Sequence, residues 1–171
     1  DGVQVLGVIG GAEGDRGHGL GLAAVEQGGT VYAGQQSDLG GQGADFVEAA
    51  TARGYDAEGL EPDDAIAALA RRAGVRVRSG FFPDALPADD RFDAIVFNDV
   101  FEHLPTPAAA MASVFQRLRP GGLAIMNLPI ATGVFYRVAD RLDRAGFHGP
   151  FDRMWQRVFP SPHLSYFTQA Q

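Results

Sequence analysis

The chain contains no cysteine and no lysine, and all 14 of its basic residues are arginine. Without cysteine it has no thiol nucleophile, no disulfide and no cysteine-based zinc site. Without lysine it has no P-loop lysine, no Schiff-base lysine and no Tyr-x-x-x-Lys dehydrogenase site. A Gly-x-Ser-x-Gly nucleophile elbow is also missing. These absences exclude several large classes of enzyme.

Long apolar runs and clustered positive charge are missing too. No apolar run approaches the roughly 20 residues that a helix needs to span a bilayer, and no charged segment leads into a short apolar one as in a secretory leader. A net charge of −7 argues against a nucleic-acid surface, because phosphate contacts need clustered cations. We therefore expect a cytoplasmic globular protein with neither nucleic acid nor a membrane among its partners.

From Gln42 onward, segments with helical spacing alternate with short apolar segments. The helical ones are "ADFVEAATARG", "DDAIAALARRAG" and "TPAAAMASVFQRLRPGG", and the strand-like ones are "YDAEGLEP", "VRVRS", "FDAIVFND" and "LAIMNLP". This order predicts βαβ units and an α/β fold with a doubly wound, mostly parallel sheet. Ligands bind such sheets at the carboxyl ends of the strands. The sequence therefore predicts that one rim of the sheet carries Asp38–Gly43, Glu61, Asn98–His103 and Asn127–Pro129.

The first 36 residues do not follow this alternation, because glycine is too dense there for regular elements. "VQVLGVI" could be a strand, but the strand expected directly before the second glycine run is "TVYAG". Polar residues separate that segment from Asp38. We therefore divide the chain into an irregular glycine-rich segment, residues 1–36, and a folded domain, residues 37–171.

Two glycine runs compete as a ligand-binding loop, "VIGGAEGDRGHGLG" and "SDLGGQGADF". The later run leads into a helix, and Glu61 follows at the next strand end, where doubly wound folds place an acid that binds ribose hydroxyls. Asp38 precedes its glycines, where a dinucleotide would place its pyrophosphate. A carboxylate there repels phosphate and attracts an ammonium group, which favours a ligand such as S-adenosylmethionine over a nicotinamide dinucleotide.

Three segments in order resemble class I S-adenosylmethionine-dependent methyltransferases of the bacterial small-molecule branch. "DLGGQGADFVEAATARGYDAEGLEP" resembles motif I and the acidic end of strand 2, and "FDAIVFNDVFEHLPTP…FQRLRPGGLAIMNLP" resembles the strand 4 region. "FPSPHLSYFT" resembles a late His-Leu-x-x-Phe element. The family pattern D-x-G-x-G-x-G is only partly kept, since Gln42 and Ala44 replace its second and third glycines. The resemblance implies a Rossmann-like sheet, and relatives continue beyond "HLSYFT", so we expect the sheet to be truncated at its C-terminal strands.

The resemblance also implies roles for individual residues. It implies that S-adenosyl-L-methionine is bound by the following residues: Asp38, Gly40, Gly41, Gly43, Glu61, Pro62, Phe82 and Asp99. In this set Asp38 orders the glycine loop, Glu61 accepts hydrogen bonds from the ribose, and Phe82 or its neighbour Phe81 packs on the adenine. The structural alternatives are a turn-forming Asp38, a Glu61 on the surface before a proline, and phenylalanines that belong to the core.

His103 is the candidate catalytic base, because an imidazole takes up a proton near neutral pH. Some members of the superfamily hold a divalent metal at the positions of Asp99, Glu102 and His103, but we predict no metal here. His163 is a second candidate that would line the acceptor pocket with Tyr166. For both histidines the alternative is a structural hydrogen bond.

The implied activity is methyl transfer to an oxygen, nitrogen or carbon atom of a small-molecule acceptor. The alternatives are an NAD(P)-dependent oxidoreductase of Rossmann type and a degenerate domain without catalysis. The segment "PFDRMWQRVF" is either a substrate wall or the apolar face of an amphipathic element, and "YRVADRLDRAG" is expected to be an exposed charged helix.

Overall fold

The computed structural model describes residues 4–8, 42–155, 157 and 163–168, with the backbone alone at 4–8 and 42–44. Within these residues the strands are β1 Gln4–Val8, β2 Asp56–Glu61, β3 Val77–Ser79, β4 Phe92–Asn98 and β5 Leu118–Asn127. The α-helices are α1 Gln42–Ala52, α2 Asp64–Arg72, α3 Pro107–Arg117, α4 Val134–Arg144 and α5 Gly149–Met154. A 3-10 turn, Phe101–His103, follows β4.

The strands form one parallel sheet in the order β3-β2-β1-β4-β5. The order runs outward in both directions from the β1–β4 pair, so the crevice of a doubly wound sheet lies at the carboxyl ends of these two strands. The predicted α/β fold with a mostly parallel sheet is therefore confirmed.

The central strand β1 comes from the segment that we expected to be irregular. Residues Gln4–Val8 pair with β2 on one side and β4 on the other, so the interpretation of "VQVLGVI" as a strand is correct. The glycine density led to the expectation of an irregular segment. That expectation is wrong for these residues, because a strand held on both sides gains its stability from non-local pairing rather than from local propensity. The early glycine run thus begins at the carboxyl end of β1, and "TVYAG" lies outside the described residues.

Both faces of the sheet are covered by apolar side chains. Phe46, Val47 and Ala50 of α1 pack over Ala94 and Val96 of β4. The alternate residues of β4, Ile95 and Phe97, point to the opposite face and pack with Phe101 and with Val114 of α3. This alternation is the period-two pattern of a strand that is buried on both sides, and it confirms the reading of "FDAIVFND".

The α3–β5 connection differs from the prediction in one detail. The helix ends at Arg117 and β5 begins at once, so the Pro120-Gly121-Gly122 turn lies inside β5 rather than before it. Phe92 pairs with Leu118 but Ala94 pairs with Leu123, so the turn is accommodated as a bulge against β4. Helix α3 leaves one of its large apolar side chains uncovered, since Phe115 is 82% exposed.

Among the described helices, none is long and apolar enough to cross a bilayer.

Candidate functional site

The carboxyl ends of β4 and β5 are tied together by polar side chains. The Asn127 amide donates to Asn98 Oδ1 at 2.8 Å, and the backbone N–H of Asp99 donates to the Asn127 carbonyl at 2.9 Å. Glu61 lies at the same edge of the sheet, at the end of β2 and on the far side of β1. The strand topology therefore brings together the rim residues that the sequence predicted from β2 onward.

Glu61 is a buried carboxylate that is held through one of its two oxygens. Its side chain is 1% exposed, so the alternative of a surface acid is wrong. Oε1 accepts the backbone N–H of Asp63 at 2.8 Å, whereas Oε2 is buried and has no hydrogen-bond partner among the described residues. Burial raises the pKa of this carboxyl, and the Asp63 N–H partly offsets the shift. A buried oxygen without a partner is rare in a folded protein and is typical of a binding site.

The sequence after β2 explains how this carboxylate is held. Pro62 fixes the chain direction after the strand, and Asp63 then caps α2 by accepting the N–H groups of Ala65 and Ile66 at 2.8 and 3.1 Å. The cap orients the Asp63 N–H toward Glu61, so the short run Glu-Pro-Asp-Asp builds the acid and its partner together. Pro62 thus acts on Glu61 through the backbone, and its predicted contact with a ligand stays a prediction.

Gly80 supports Glu61 from the neighbouring strand, and sequence reasoning missed it. Its N–H donates to the Glu61 carbonyl at 2.9 Å, and its φ is +128°. A Cβ on this residue would lie 2.6 Å from the Cβ of Ala85. Only glycine fits such a position, and the signal in the sequence was a glycine directly after the strand "VRVRS".

Asp99 has an unusual backbone at the point where the chain leaves β4. Its φ is +52°, the left-handed region that residues other than glycine seldom adopt. Burial raises the pKa of its carboxyl, and the charge of His103 works against that rise. Backbone strain of this kind concentrates at functional sites, which agrees with the predicted place of Asp99 in the site.

The second buried glutamate, Glu102, lies between two histidines. It is 1% exposed, its Oε1 is 4.0 Å from His163 Nε2, and its Oε2 has no hydrogen-bond partner within the described segments. The rings of His103 and His163 are 4.9 Å apart, and one ligand-type atom from each of the three residues lies within 4.8 Å of the others. Burial, with the charge of Asp99, raises the pKa of Glu102 to about 7. This cluster can pass a proton or surround a cation.

The segment 163–168 is fixed against this cluster by the backbone. The N–H groups of Leu164 and Ser165 donate to the Glu102 carbonyl at 2.8 and 3.1 Å. Phe167 forms a bridge with Ile130 and its ring lies 5.6 Å from that of Phe101. His163 therefore reaches the end of β4 although it is distant in sequence.

A short hydrogen-bond chain sets the tautomer of His163. The Tyr166 hydroxyl donates to the Met154 carbonyl at 2.6 Å, so its oxygen accepts from His163 Nδ1 at 3.1 Å. The lone pair of the imidazole is then on Nε2, the nitrogen that faces Glu102. Burial, with the charge of His103, lowers the pKa of His163 to about 4. His163 is therefore neutral at physiological pH.

Aromatic side chains from α4, α5 and the last segment pack beside His163. The Tyr166 ring lies 4.8 Å from that of Trp155 and 5.1 Å from that of Tyr136, and Phe151 contacts both Trp155 and Tyr136. Trp155 Nε1 is buried, and none of the described residues accepts a hydrogen bond from it. The predicted wall of "PFDRMWQRVF" thus consists, in its described part, of aromatic rings next to the glutamate–histidine cluster.

The remaining predicted residues are less closely grouped. Asp38, Gly40 and Gly41 lie outside the described residues, and Gly43 belongs to the first turn of α1 rather than to a loop before it. Phe82 is buried in the core edge-on to Phe97, with ring centroids 5.3 Å apart, whereas Phe81 is 69% exposed. The core alternative therefore describes the packing of Phe82, and its contact with adenine stays a prediction.

Comparison with known proteins identifies the family of the chain. A family model described as a methyltransferase domain matches residues 38–171, which is more than half of the chain. An uncharacterized methyltransferase of Mycolicibacterium vanbaalenii is 38% identical over 104 residues, which cover 57% of this chain and 40% of the relative. An uncharacterized methyltransferase of Mycobacterium sp. strain KMS is 33% identical over 130 residues, which cover 66% of this chain and 51% of the relative.

The chain spans about half the length, or less, of these curated relatives. The family match nevertheless includes both buried glutamates and the segment that carries His163. Together with the parallel sheet and the acid at the end of β2, it establishes the family. The chain belongs to the methyltransferase-domain family, within the class I S-adenosylmethionine-dependent methyltransferases.

Proposed function

We propose that the protein transfers a methyl group from S-adenosylmethionine to an oxygen, nitrogen or carbon atom of a small-molecule acceptor. The observation that supports the donor most strongly is the buried Oε2 of Glu61, to which no group in the described part of the chain donates a hydrogen bond. A ribose presents two neighbouring hydroxyl donors, and a carboxylate can accept both. Glu61 has an oxygen available for such a group at the ligand-binding end of the sheet, and hydrogen bonds to a charged acceptor are the stronger kind.

In this proposal the end of β2 contacts the methyl donor, and the end of β4 lies between the donor and the acceptor. Glu61 binds the ribose, and Asp99, at the end of β4, lines the space between the donor and the acceptor. When bound, S-adenosylmethionine supplies a methyl group attached to a positively charged sulfur. The residues of the chain then contribute mainly alignment of the two reactants and removal of a proton.

The acceptor side is formed by His103, His163 and Glu102. His103 is the proposed base, and its ring is in edge contact with the ring of His163. Because the tautomer of His163 leaves Nε2 as an acceptor, His163 can hold a donor hydroxyl or amine of the acceptor in place. The aromatic rings around Tyr166 exclude water from this side, which strengthens the polar interactions within it.

A binding comparison tests the donor directly. We expect S-adenosylhomocysteine to raise the melting temperature of the purified chain and NAD to leave it unchanged, because the ligand adds its binding free energy to the folded state. Transfer of labelled methyl groups from S-adenosylmethionine into a bacterial small-molecule extract tests the chemistry. Stabilisation by NAD alone would instead support a dinucleotide-dependent oxidoreductase, and ligand binding without any transfer would support a domain without catalysis.

A further inference from the structure

One side of helix α4 exposes an apolar stripe that nothing in the described chain covers. The stripe consists of Val134, Phe135, Val138 and Leu142, whose spacing places them on one face of the helix. Phe135 is 87% exposed and Val134 is 74% exposed. The other side of the helix faces the protein, where Tyr136 contacts the ring of Tyr166. Large side chains in such a row are normally covered by a partner.

The end of the helix extends this stripe. The N–H of Phe147 donates to the Leu142 carbonyl and that of Gly146 to the Asp143 carbonyl, both at 2.9 Å, with Gly146 at φ +89°. These two bonds define a Schellman motif, in which the residue after the glycine lies beside the last turn of the helix. Phe147, 66% exposed, therefore adds a second aromatic ring next to Leu142. We call these five residues the α4 face.

Two unpaired arginines border the α4 face. Arg137 and Arg141 are exposed, and within the described part of the chain neither forms an ion pair or a side-chain hydrogen bond. The acids of the same helix are engaged elsewhere, since Asp140 pairs with Arg144 at 3.1 Å and Asp143 with His148 at 2.6 Å. A local surplus of positive charge thus adjoins exposed apolar rings in a chain whose net charge is −7.

We propose that the α4 face docks on an anionic lipid surface. Exposed apolar residues bordered by arginines on one helix are the signature of an element that lies in the headgroup region of a bilayer, with the rings in the acyl boundary and the guanidinium groups on lipid phosphates. Charge complementarity favours this occupant over a second copy of the chain. A two-fold contact between copies would bring four arginines together, and the acids of the same helix already pair with Arg144 and His148.

The position of α4 makes the docking relevant to the site. Tyr136, on the protein side of the helix, contacts the ring of Tyr166, whose hydroxyl is bonded to His163. A docked α4 would therefore bring the glutamate–histidine cluster close to the lipid headgroups. We expected no membrane partner from the sequence, because no segment is apolar enough to span a bilayer. A peripheral contact needs only one exposed helix face, and it does not depend on the proposed methyl transfer.

Cosedimentation of the purified chain with vesicles tests the proposal. We expect binding to vesicles of phosphatidylglycerol and phosphatidylcholine in equal parts, and much weaker binding to phosphatidylcholine alone. Phe135→Ser should weaken binding by roughly 10- to 150-fold, as expected for the loss of one buried aromatic ring. The double variant Arg137→Gln/Arg141→Gln should weaken it by about 25-fold, about fivefold for each arginine, and added salt should have a similar effect.

Matched variants elsewhere on the surface serve as controls. Phe115→Ser removes an 82% exposed ring from α3, and Arg72→Gln removes an exposed charge from α2, so both should bind like the parent chain. The proposal is overturned if anionic vesicles are not bound, if the α4 variants bind as well as the controls, or if phosphatidylcholine binds equally. It is also overturned if light scattering shows a dimer that Phe135→Ser dissociates. Circular dichroism of each variant checks that the fold is unchanged.

Discussion

The two buried glutamates of the rim, Glu61 and Glu102, are alike in burial but differ in how they are held. Each is 1% exposed, and in the part of the chain that the structure describes neither Oε2 has a hydrogen-bond partner. Glu61 is fixed by the N–H of Asp63, two residues further along the chain. Glu102 is surrounded by side chains from distant segments, including His163. The difference teaches that a local motif can build the proposed donor site, whereas the proposed acceptor side depends on tertiary packing.

The largest effect on the free energy of unfolding should come from Glu102 and His163, because their titrations change stability with pH in opposite directions. The pKa of Glu102 is about 7 in the folded chain, so between pH 4.5 and 7 the folded state holds a proton that the unfolded state has lost. Stability therefore falls with rising pH in that window, by about 3 kcal/mol. The pKa of His163 is about 4, so between pH 4 and 6.5 the unfolded state holds the extra proton and stability rises by a similar amount.

The two responses nearly cancel in the parent chain, and single variants should separate them. Urea denaturation with chelator present should show that Glu102→Gln gains about 3 kcal/mol of stability between pH 4 and 6.5, because only the response of His163 remains. His163→Gln should lose a similar amount between pH 4.5 and 7. If the free energy of unfolding changed with pH in the same way in the parent chain and in both variants, the burial of these two groups would be contradicted.

An effect of similar size on the free energy of unfolding should appear on the Glu61 side, at Gly80. Gly80→Ala places a Cβ 2.6 Å from that of Ala85 at a φ of +128°, so we expect a loss of about 2–4 kcal/mol of unfolding free energy, from both clash and backbone strain. Gly54→Ala is the control, because its φ is +86° but no atom lies within 4 Å of the new Cβ. It should cost only about 1 kcal/mol. Equal losses for the two variants would mean that Gly80 is not closely packed behind Glu61.

The smallest effect should come from Tyr166→Phe. The change removes the hydroxyl that donates to the Met154 carbonyl and accepts from His163, which should cost about 1 kcal/mol. It should also allow the proton of the neutral His163 ring to lie on either nitrogen, and nitrogen chemical shifts of the imidazole would report this change. Tyr136→Phe is the matched control on the same aromatic cluster. Unchanged nitrogen shifts in Tyr166→Phe would show that the hydroxyl does not orient His163.

Most of the sheet could be predicted from the sequence, because hydrophobic periodicity is a local property. The run "FDAIVFND" indicated a doubly buried strand, and Glu61 was recognised from its place at a strand end. The strand Gln4–Val8 was hidden by surrounding glycines, since its stability comes from pairing with both neighbours. The exposure of Phe115 was also unpredictable, because helical spacing shows which residues share a face but not whether another element covers that face.

The contacts on the proposed acceptor side were harder to predict from the sequence. His103 and His163 were each recognised as candidates, but their 4.9 Å ring contact depends on the N–H groups of Leu164 and Ser165 reaching the Glu102 carbonyl. No local pattern encodes that contact. The sequence did contain the unusual pair of segments, "DVFEHLP" and "SPHLSYF", whose histidines the fold brings together.

The central claim, that Glu61 binds the ribose of the methyl donor, is tested most directly by calorimetry. The measurement compares S-adenosylhomocysteine with an analogue lacking both ribose hydroxyls, on the parent chain, on Glu61→Gln and on the control Glu58→Gln. We predict that Glu61→Gln weakens the binding of S-adenosylhomocysteine by roughly 10- to 150-fold, the value of a hydrogen bond to a charged group. The affinity for the analogue should not change. If Glu61→Gln weakened the binding of both ligands equally, or of neither, the proposed role of Glu61 would be contradicted.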